Sequence, residues 1–242
     1  VLEADELLGR LGPDGLQVAA RSDGGRHVVL EPALHRLLVP GAVLLVIGEH
    51  AIQGAGDLLL TGRVGLAGVS YGGWLTLMGL VDPHPALKAA VPMYPMVDGW
   101  IGDDFYHNGA FRQTMLEWIY GMGSHKSSDH QVPYGYRDLY EAYLSAGSAE
   151  AAARRYKADQ LPTWRKVVDN PAYNAFWRGQ AVQDILATRP LRVPVLVVHG
   201  LFDQEDNFGG IAAYRSLEAK DTDNTRVHLV VGPWNHGQSQ RE

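Results

Sequence analysis

The sequence predicts an α/β fold built on a parallel sheet and interrupted by a helical insertion. Three observations carry this. From Arg63 onward the apolar residues switch repeatedly between the two-residue period of a strand and the three-to-four-residue period of a helix. Between about Trp100 and Leu186 the helical period takes over. Finally, a serine, an aspartate and a histidine (Ser70, Asp203, His236) each sit just past the carboxyl end of a predicted strand.

Composition bounds what such a fold can do. At 242 residues with 46% hydrophobic and 20% charged side chains, the chain can bury a sizeable core. A formal net charge of −6, with no dense run of Lys or Arg, argues against a nucleic-acid surface and permits a neutral or cationic small substrate. With Cys 0, disulfides, thiolate metal sites and cysteine nucleophiles are excluded. No apolar stretch approaches the ~18–20 residues of a membrane span. The acidic start, Val1-Leu2-Glu3-Ala4-Asp5-Glu6, does not resemble a signal peptide.

Residues 1–61 read as an atypical N-terminal segment. No aromatic residue and no lysine occurs in residues 1–69, where the overall aromatic share of 9% would place about six. Val43 to Ile47 reads as a buried strand, and Leu34 to Leu38 is open between helix and strand. Arg63 to Val69 then forms a short strand and Gly72 to Val81 a helix, stopped by the prolines of Asp82-Pro83-His84-Pro85. Leu87 to Met93 returns as a second strand, which makes a βαβ unit of a parallel sheet.

In the insertion, apolar spacing predicts helices over Phe111–Tyr120, Tyr136–Leu144, Ala149–Tyr156 and Pro171–Trp177, the last with Asn170 as N-cap and proline at its first position. Such a block reads as a cap over the sheet's carboxyl edge. The sheet resumes at Val193–Gly200, continues through a helix from about Gly210 to Glu218, and ends with a strand at Val227–Val231. The layout is a catalytic core of residues 62–99 and 187–242 with residues 100–186 inserted.

The chemistry rests on the strand ends. Gly68-Val69-Ser70-Tyr71-Gly72 reads as a nucleophile elbow, a tight strand-to-helix turn that holds a serine hydroxyl out toward a base and needs small flanking residues. The chain order Ser70, Asp203, His236 is that of an α/β-hydrolase, and a parallel sheet gathers such ends at one edge. In this reading His236 is the general base, Asp203 holds its tautomer, Ser70 forms an acyl-enzyme, and the Tyr71 N–H donates to the oxyanion. Taken singly, an aspartate placed like Asp203 is more often a solvated turn acid or a helix cap, and a histidine placed like His236 reads equally as an exposed loop residue. His199 and His228 lie inside strand patterns and read as packed or surface residues. His125 and His130 stand too far from other ligands to argue a metal site, and no cofactor is expected.

From about Gly62 to Gln238 the sequence resembles the bacterial α-amino-acid ester hydrolases, relatives of cocaine esterase, glutaryl cephalosporin acylases and X-prolyl dipeptidyl peptidases. The resemblance rests on Ser70-Tyr71, Asp82 to Lys88, Pro95 to Asp104, Gly109-Ala110-Phe111-Arg112, Leu161-Pro162-x-Trp164-Arg165-Lys166, Asp203 to Asp206 and Gly232-Pro233-Trp234-x-His236. It implies an α/β-hydrolase fold with an inserted helical cap, incomplete at both ends. The implied activity is hydrolysis or transfer of α-amino acyl groups from esters and amides, including β-lactam antibiotic side chains.

The family's carboxylate cluster for the substrate α-ammonium group maps onto Asp104, Glu205 and Asp206. One ammonium about 4 Å from one carboxylate gains roughly 4 kcal/mol before desolvation at an effective dielectric of about 20. The resemblance also suggests a homo-oligomer and a periplasmic or secreted location. Two departures stand out: residues 1–69 hold no tyrosine to match the family's second oxyanion donor, and the chain ends just after His236, without the family's C-terminal β-sandwich. A general carboxylesterase or acylase, and a catalytically inactive fragment, are the competing readings.

Overall fold

The computed structural model describes residues 17–18, 28–29, 43–45, 64–125, 131–135 and 138–240. The segment at Leu34–Leu38, the cap-helix start at Tyr136 and His130 lie outside the described residues. The chain divides into two compact units, residues 1–98 with 180–242, and residues 99–179.

The first unit is organised by a five-stranded sheet. Its strands are β3 (Val43–Leu45), β4 (Val64–Val69), β5 (Leu87–Met93), β9 (Val195–Gly200) and β10 (Val227–Gly232), in the order β10-β9-β5-β4-β3. A separate two-stranded ladder pairs β1 (Gln17–Val18) with β2 (Val28–Val29). Four of the five main strands run parallel, and only β3 is antiparallel to its neighbour β4. Parallel strands need crossovers, and helices on the sheet's faces bury their apolar runs. Here α1 (Tyr71–Met78) connects β4 to β5, and α8 (Gly209–Glu218) connects β9 to β10. Leu77, Val97, Val182, Val195, Val197 and Ala213 are completely or almost completely buried in this core. Burying one such Leu or Val side chain contributes about 1.5–3 kcal/mol.

Helix α7 (Val182–Ala187), grouped by its apolar spacing with the insertion, packs in the sheet unit: Val182 and Leu186 belong to its core, and the Val182 N–H donates to the Val97 carbonyl at 3.0 Å. The Trp74 indole N–H also reaches the Gln180 carbonyl, at 3.1 Å.

The turn at Ser70 shows tertiary structure overriding propensity. Helix α1 opens Tyr71-Gly72-Gly73, a poor helix start. Packing explains it. A Cβ on Gly68 would lie 2.2 Å from the Gly72 carbonyl oxygen, and one on Gly73 would lie 2.8 Å from Pro95 Cα. The glycines let strand, helix and the end of β5 approach one another.

The second unit is helical with a small meander. Three two-residue strands, β6 (Gly102–Asp103), β7 (Tyr106–His107) and β8 (Ala110–Phe111), pair antiparallel. The expected Phe111–Tyr120 helix therefore begins only at Met115, because Phe111 is taken by the meander. It is α2 (Met115–Gly123). Helices α3 (Leu139–Ala146) and α4 (Ala149–Tyr156) follow, N-capped by Asp138 to the Tyr140 N–H at 2.8 Å and Ser148 to the Ala151 N–H at 3.1 Å. Helix α5 (Pro162–Val168) carries proline at its start.

The expected N-cap at Asn170 is corrected. Asn170 spends its side chain on the Lys166 carbonyl at 2.7 Å and on Asn174 at 2.6 Å, while the Trp177 and Trp100 indoles tie down the Asn170 and Pro171 carbonyls. Helix α6 (Ala175–Arg178) starts later, capped by Asn174 to the Phe176 N–H at 2.9 Å. Trp164 is fully buried, with Phe111 edge-on at 5.6 Å.

The glycine geometry gives a direct expectation for urea unfolding. Gly68→Ala meets backbone rather than a flexible side-chain end and is expected to cost at least the roughly 1–3 kcal/mol of core overpacking. Gly123→Ala, whose added Cβ would sit 3.7 Å from Leu161 Cδ1 in ordinary contact, is expected to hold or raise stability by up to about 1 kcal/mol.

Candidate active site

Because β4, β5, β9 and β10 are parallel, their carboxyl ends lie on one edge of the sheet. Ser70 directly follows β4, Asp203 lies three residues past β9, and His236 lies four past β10. Ser70 has φ 59° and ψ −124°, a conformation a non-glycine residue adopts only under constraint. Its N–H donates to the Met93 carbonyl at 2.9 Å and its carbonyl accepts from Trp74 at 3.1 Å, so both flanking peptides are fixed. Tyr71 is the first residue of α1, where backbone N–H groups point away from the helix ladder. Its ring stacks on Trp74 with centroids 5.7 Å apart, and burial pushes its phenol pKa up.

Asp203 and His236 meet. The imidazole Nδ1 is 2.8 Å from Asp203 Oδ2. The other carboxylate oxygen, Oδ1, accepts the Glu205 N–H at 2.9 Å and the Asp206 N–H at 3.0 Å. Burial alone would push the Asp203 pKa up, but the hydrogen bond and charge of His236 and the two backbone donors together hold it below the usual carboxylate value. An ionised Asp203 then fixes the proton on Nδ1 and leaves Nε2 as the acceptor. The loop carrying His236 runs against the end of β4: at Gly237, φ 70°, an added Cβ would lie 3.8 Å from Val69 Cγ1.

Of the three acids expected to read an ammonium group, two share this unit. Glu205 is half-buried, and Asp206 is fully buried with Oδ2 3.9 Å from His236 Nε2. Asp104 belongs to the second unit, where it is buried and its backbone carbonyl accepts Arg112 Nη1 at 2.9 Å. Among the described residues, no group of three His, Asp or Glu is arranged to hold a metal ion.

Two neighbours escaped the sequence reading. Tyr94, fully buried at φ 46°, touches His236 edge-on. Nothing in Met93-Tyr94-Pro95 marks it, since its part depends on a contact across 142 positions (94 to 236). His199, at the end of β9, is expected as a packed or surface histidine, and the structure buries it. Its environment ties it to the pair: burial lowers its pKa below the ordinary 6.5, His236 lowers it further, and Asp203 and the Asn207 backbone oppose the shift.

Comparison with known proteins gives this arrangement a lineage. The sequence profile of the X-Pro dipeptidyl-peptidase (S15) family matches residues 57–238. The chain belongs to that family. It is 28% identical over 186 residues to a cocaine esterase of Rhodococcus sp. (strain MB1 Bresler), covering 72% of this chain and 31% of that protein. Among solved structures it resembles a selenomethionine-labelled α-amino acid ester hydrolase, with 44% identity and a TM-score of 0.70 over 73% of this chain and 29% of that one. It also resembles an aminopeptidase from a marine sediment Thaumarchaeota archaeon, with 47% identity and a TM-score of 0.70 over 74% and 30%. The S15-family chain thus spans about a third of the length of these relatives. By family and fold it stands with serine-hydrolase-type esterases and acylases. No helix among its described residues is long and apolar enough to cross a membrane.

The histidine beneath the pair makes stability pH-dependent in a defined direction. The unfolded chain protonates His199 near pH 6.5, whereas the folded chain resists until lower pH. Stability from this residue is therefore complete above about pH 6.5 and lost as pH falls toward the folded value. The urea midpoint is expected to fall between pH 7 and 5, and His199→Gln is expected to flatten that slope. The Asp203 contribution has the same sign but is lost only below about pH 4, so the two windows separate.

Proposed function

We propose that the chain carries the catalytic core of a serine hydrolase acting on esters and amides of α-amino acids. The hydrogen bond between His236 and Asp203, on the strand edge that also carries the strained Ser70, is the observation that carries this reading. Ser70 Oγ attacks the substrate carbonyl while His236 Nε2 takes its proton. The tetrahedral oxyanion receives the Tyr71 N–H. His236 then returns the proton to the leaving alcohol or amine, leaving Ser70 acylated until water, activated by the same imidazole, cleaves the ester. An amine nucleophile in place of water makes the same step an acyl transfer. β-Lactam antibiotic side chains that are α-amino acyl amides fall within this substrate class.

Glu205 and Asp206 are assigned to the substrate ammonium group. Their own N–H groups hold Asp203, so an ammonium bound by their carboxylates sits one residue's reach from the base. Assigning Asp104 to the same group rests on its place in the run Pro95 to Asp104, which carries the resemblance to the α-amino-acid ester hydrolases. A general carboxylesterase is the second reading, favoured by the 3.9 Å approach of Asp206 to His236 Nε2, which gives that acid a part in the base's environment without any ammonium.

Labelling with a fluorophosphonate tests the nucleophile. Stoichiometric modification that disappears in Ser70→Ala is expected; no labelling of folded protein would overturn the assignment. Substrate class is tested with phenylglycine methyl ester against methyl phenylacetate, which lacks only the amino group. The amino ester is expected to have at least about 10-fold higher kcat/KM, the equivalent of about 1.4 kcal/mol. Glu205→Gln is expected to erase that preference and leave the des-amino ester unaffected. Equal values for the two esters in the unaltered protein would favour the carboxylesterase.

A further inference from the structure

Tyr94 has no part in the chemistry above, yet it is held in a conformation that bulky side chains avoid. It follows β5 at φ 46° with its side chain completely buried, and the next residue is Pro95. Its N–H donates to the Val198 carbonyl at 2.8 Å, which locks the turn to β9. The side chain then makes two contacts with one loop. The ring meets the His236 imidazole edge-on, centroids 5.7 Å apart and planes at 66°. The hydroxyl oxygen accepts the Ser239 N–H at 3.0 Å.

The surroundings are shaped to this ring. A Cβ on Gly200 would lie 2.9 Å from Tyr94 Cε1 and 2.3 Å from the Trp234 carbonyl oxygen, so β9, the ring and the histidine loop meet where no methyl group fits. The Phe202 N–H bonds the same Trp234 carbonyl at 3.0 Å. Taken alone, the hydrogen bond from Nδ1 to Asp203 fixes the imidazole at one atom and permits rotation about that bond. A ring against its edge, and an anchor three residues further along the loop, remove this freedom.

We propose that Tyr94 is a positioning residue that sets the orientation of His236 by seating its loop at two points. This rests on reading His236 as the general base. Charged or titratable groups facing the imidazole include Asp203 at Nδ1 and Asp206 at Nε2, with His199 6.4 Å from the Tyr94 ring on its other contact. None of these substitutes for the steric seat.

The test uses the 242-residue chain with 15N-labelled histidines. The Nδ1 proton shared by His236 and Asp203 gives a downfield resonance, identified by its loss in Asp203→Asn. Tyr94→Phe keeps the ring and removes the acceptor; Ser239→Pro removes the matching donor from the other end; Tyr94→Ser removes the ring. Tyr94→Phe and Ser239→Pro are expected to broaden the resonance equally and to slow fluorophosphonate labelling about 10-fold. Tyr94→Ser is expected to abolish the resonance and slow labelling about 100-fold, the scale of a misplaced general base. KM for phenylglycine methyl ester stays unchanged while kcat falls.

Undiminished resonance and labelling in the folded Tyr94→Phe and Ser239→Pro variants overturn the proposal, whether or not Tyr94→Ser folds. A resonance that depends on Tyr94 in a protein that never labels supports the positioning role and overturns the nucleophile reading. Labelling with a resonance indifferent to Tyr94 does the reverse.

Discussion

The Asp203 carboxylate is the joint on which the candidate site depends. Its two oxygens face different parts of the chain: Oδ1 gathers the N–H groups of Glu205 and Asp206 and so shapes its own loop, while Oδ2 holds the imidazole of His236. A buried carboxylate is costly unless several donors compensate it. Here those donors are the parts that need placing. Stabilising the charge and building the site are one event, which is why an acid with almost no exposure remains ionised.

Around this joint the fold removes side-chain volume where elements must touch. Gly68 and Gly73 let the turn at Ser70 press against α1 and Pro95; Gly200 lets the end of β9 meet Tyr94 and the histidine loop. The strain at Ser70 and Tyr94 is carried by the same region. Neither conformation is favourable alone, and both are sustained by backbone hydrogen bonds to the neighbouring strands, Ser70 to Met93 and Tyr94 to Val198. The sheet acts as the frame that pays for two awkward residues at its edge.

Much of this was legible in the residues. The elbow can be read because its glycines are local to Ser70, and Asp203 and His236 because strand endings are visible as the end of an apolar run. The βαβ unit and the final strand follow from the same period. What escaped has a common cause. The meander of β6 to β8 uses two-residue strands, too short to show any period. Asn170 looks like a cap, but its side chain and carbonyl are claimed by Lys166, Asn174 and Trp177. Tyr94 acts across the sheet edge on a loop far along the chain. Each depends on a partner that linear spacing does not bring into view.

The strand pairing of β5 with β9 also bears on how the protein reaches this state. Ala90 pairs with Val195, 105 residues further on (195 − 90), whereas β4 with β5 and β9 with β10 are joined by single helical crossovers. Closing so long a loop costs roughly 4 kcal/mol of chain entropy, and the cost rises only logarithmically with length. The half bearing Ser70 and the half bearing Asp203 and His236 can each form early from near neighbours, and they become one sheet only through this late, distant pairing. With Ser70 read as the proposed nucleophile, its reactivity would report this distant pairing, and it would be silent in any intermediate where the two halves have formed but not yet joined.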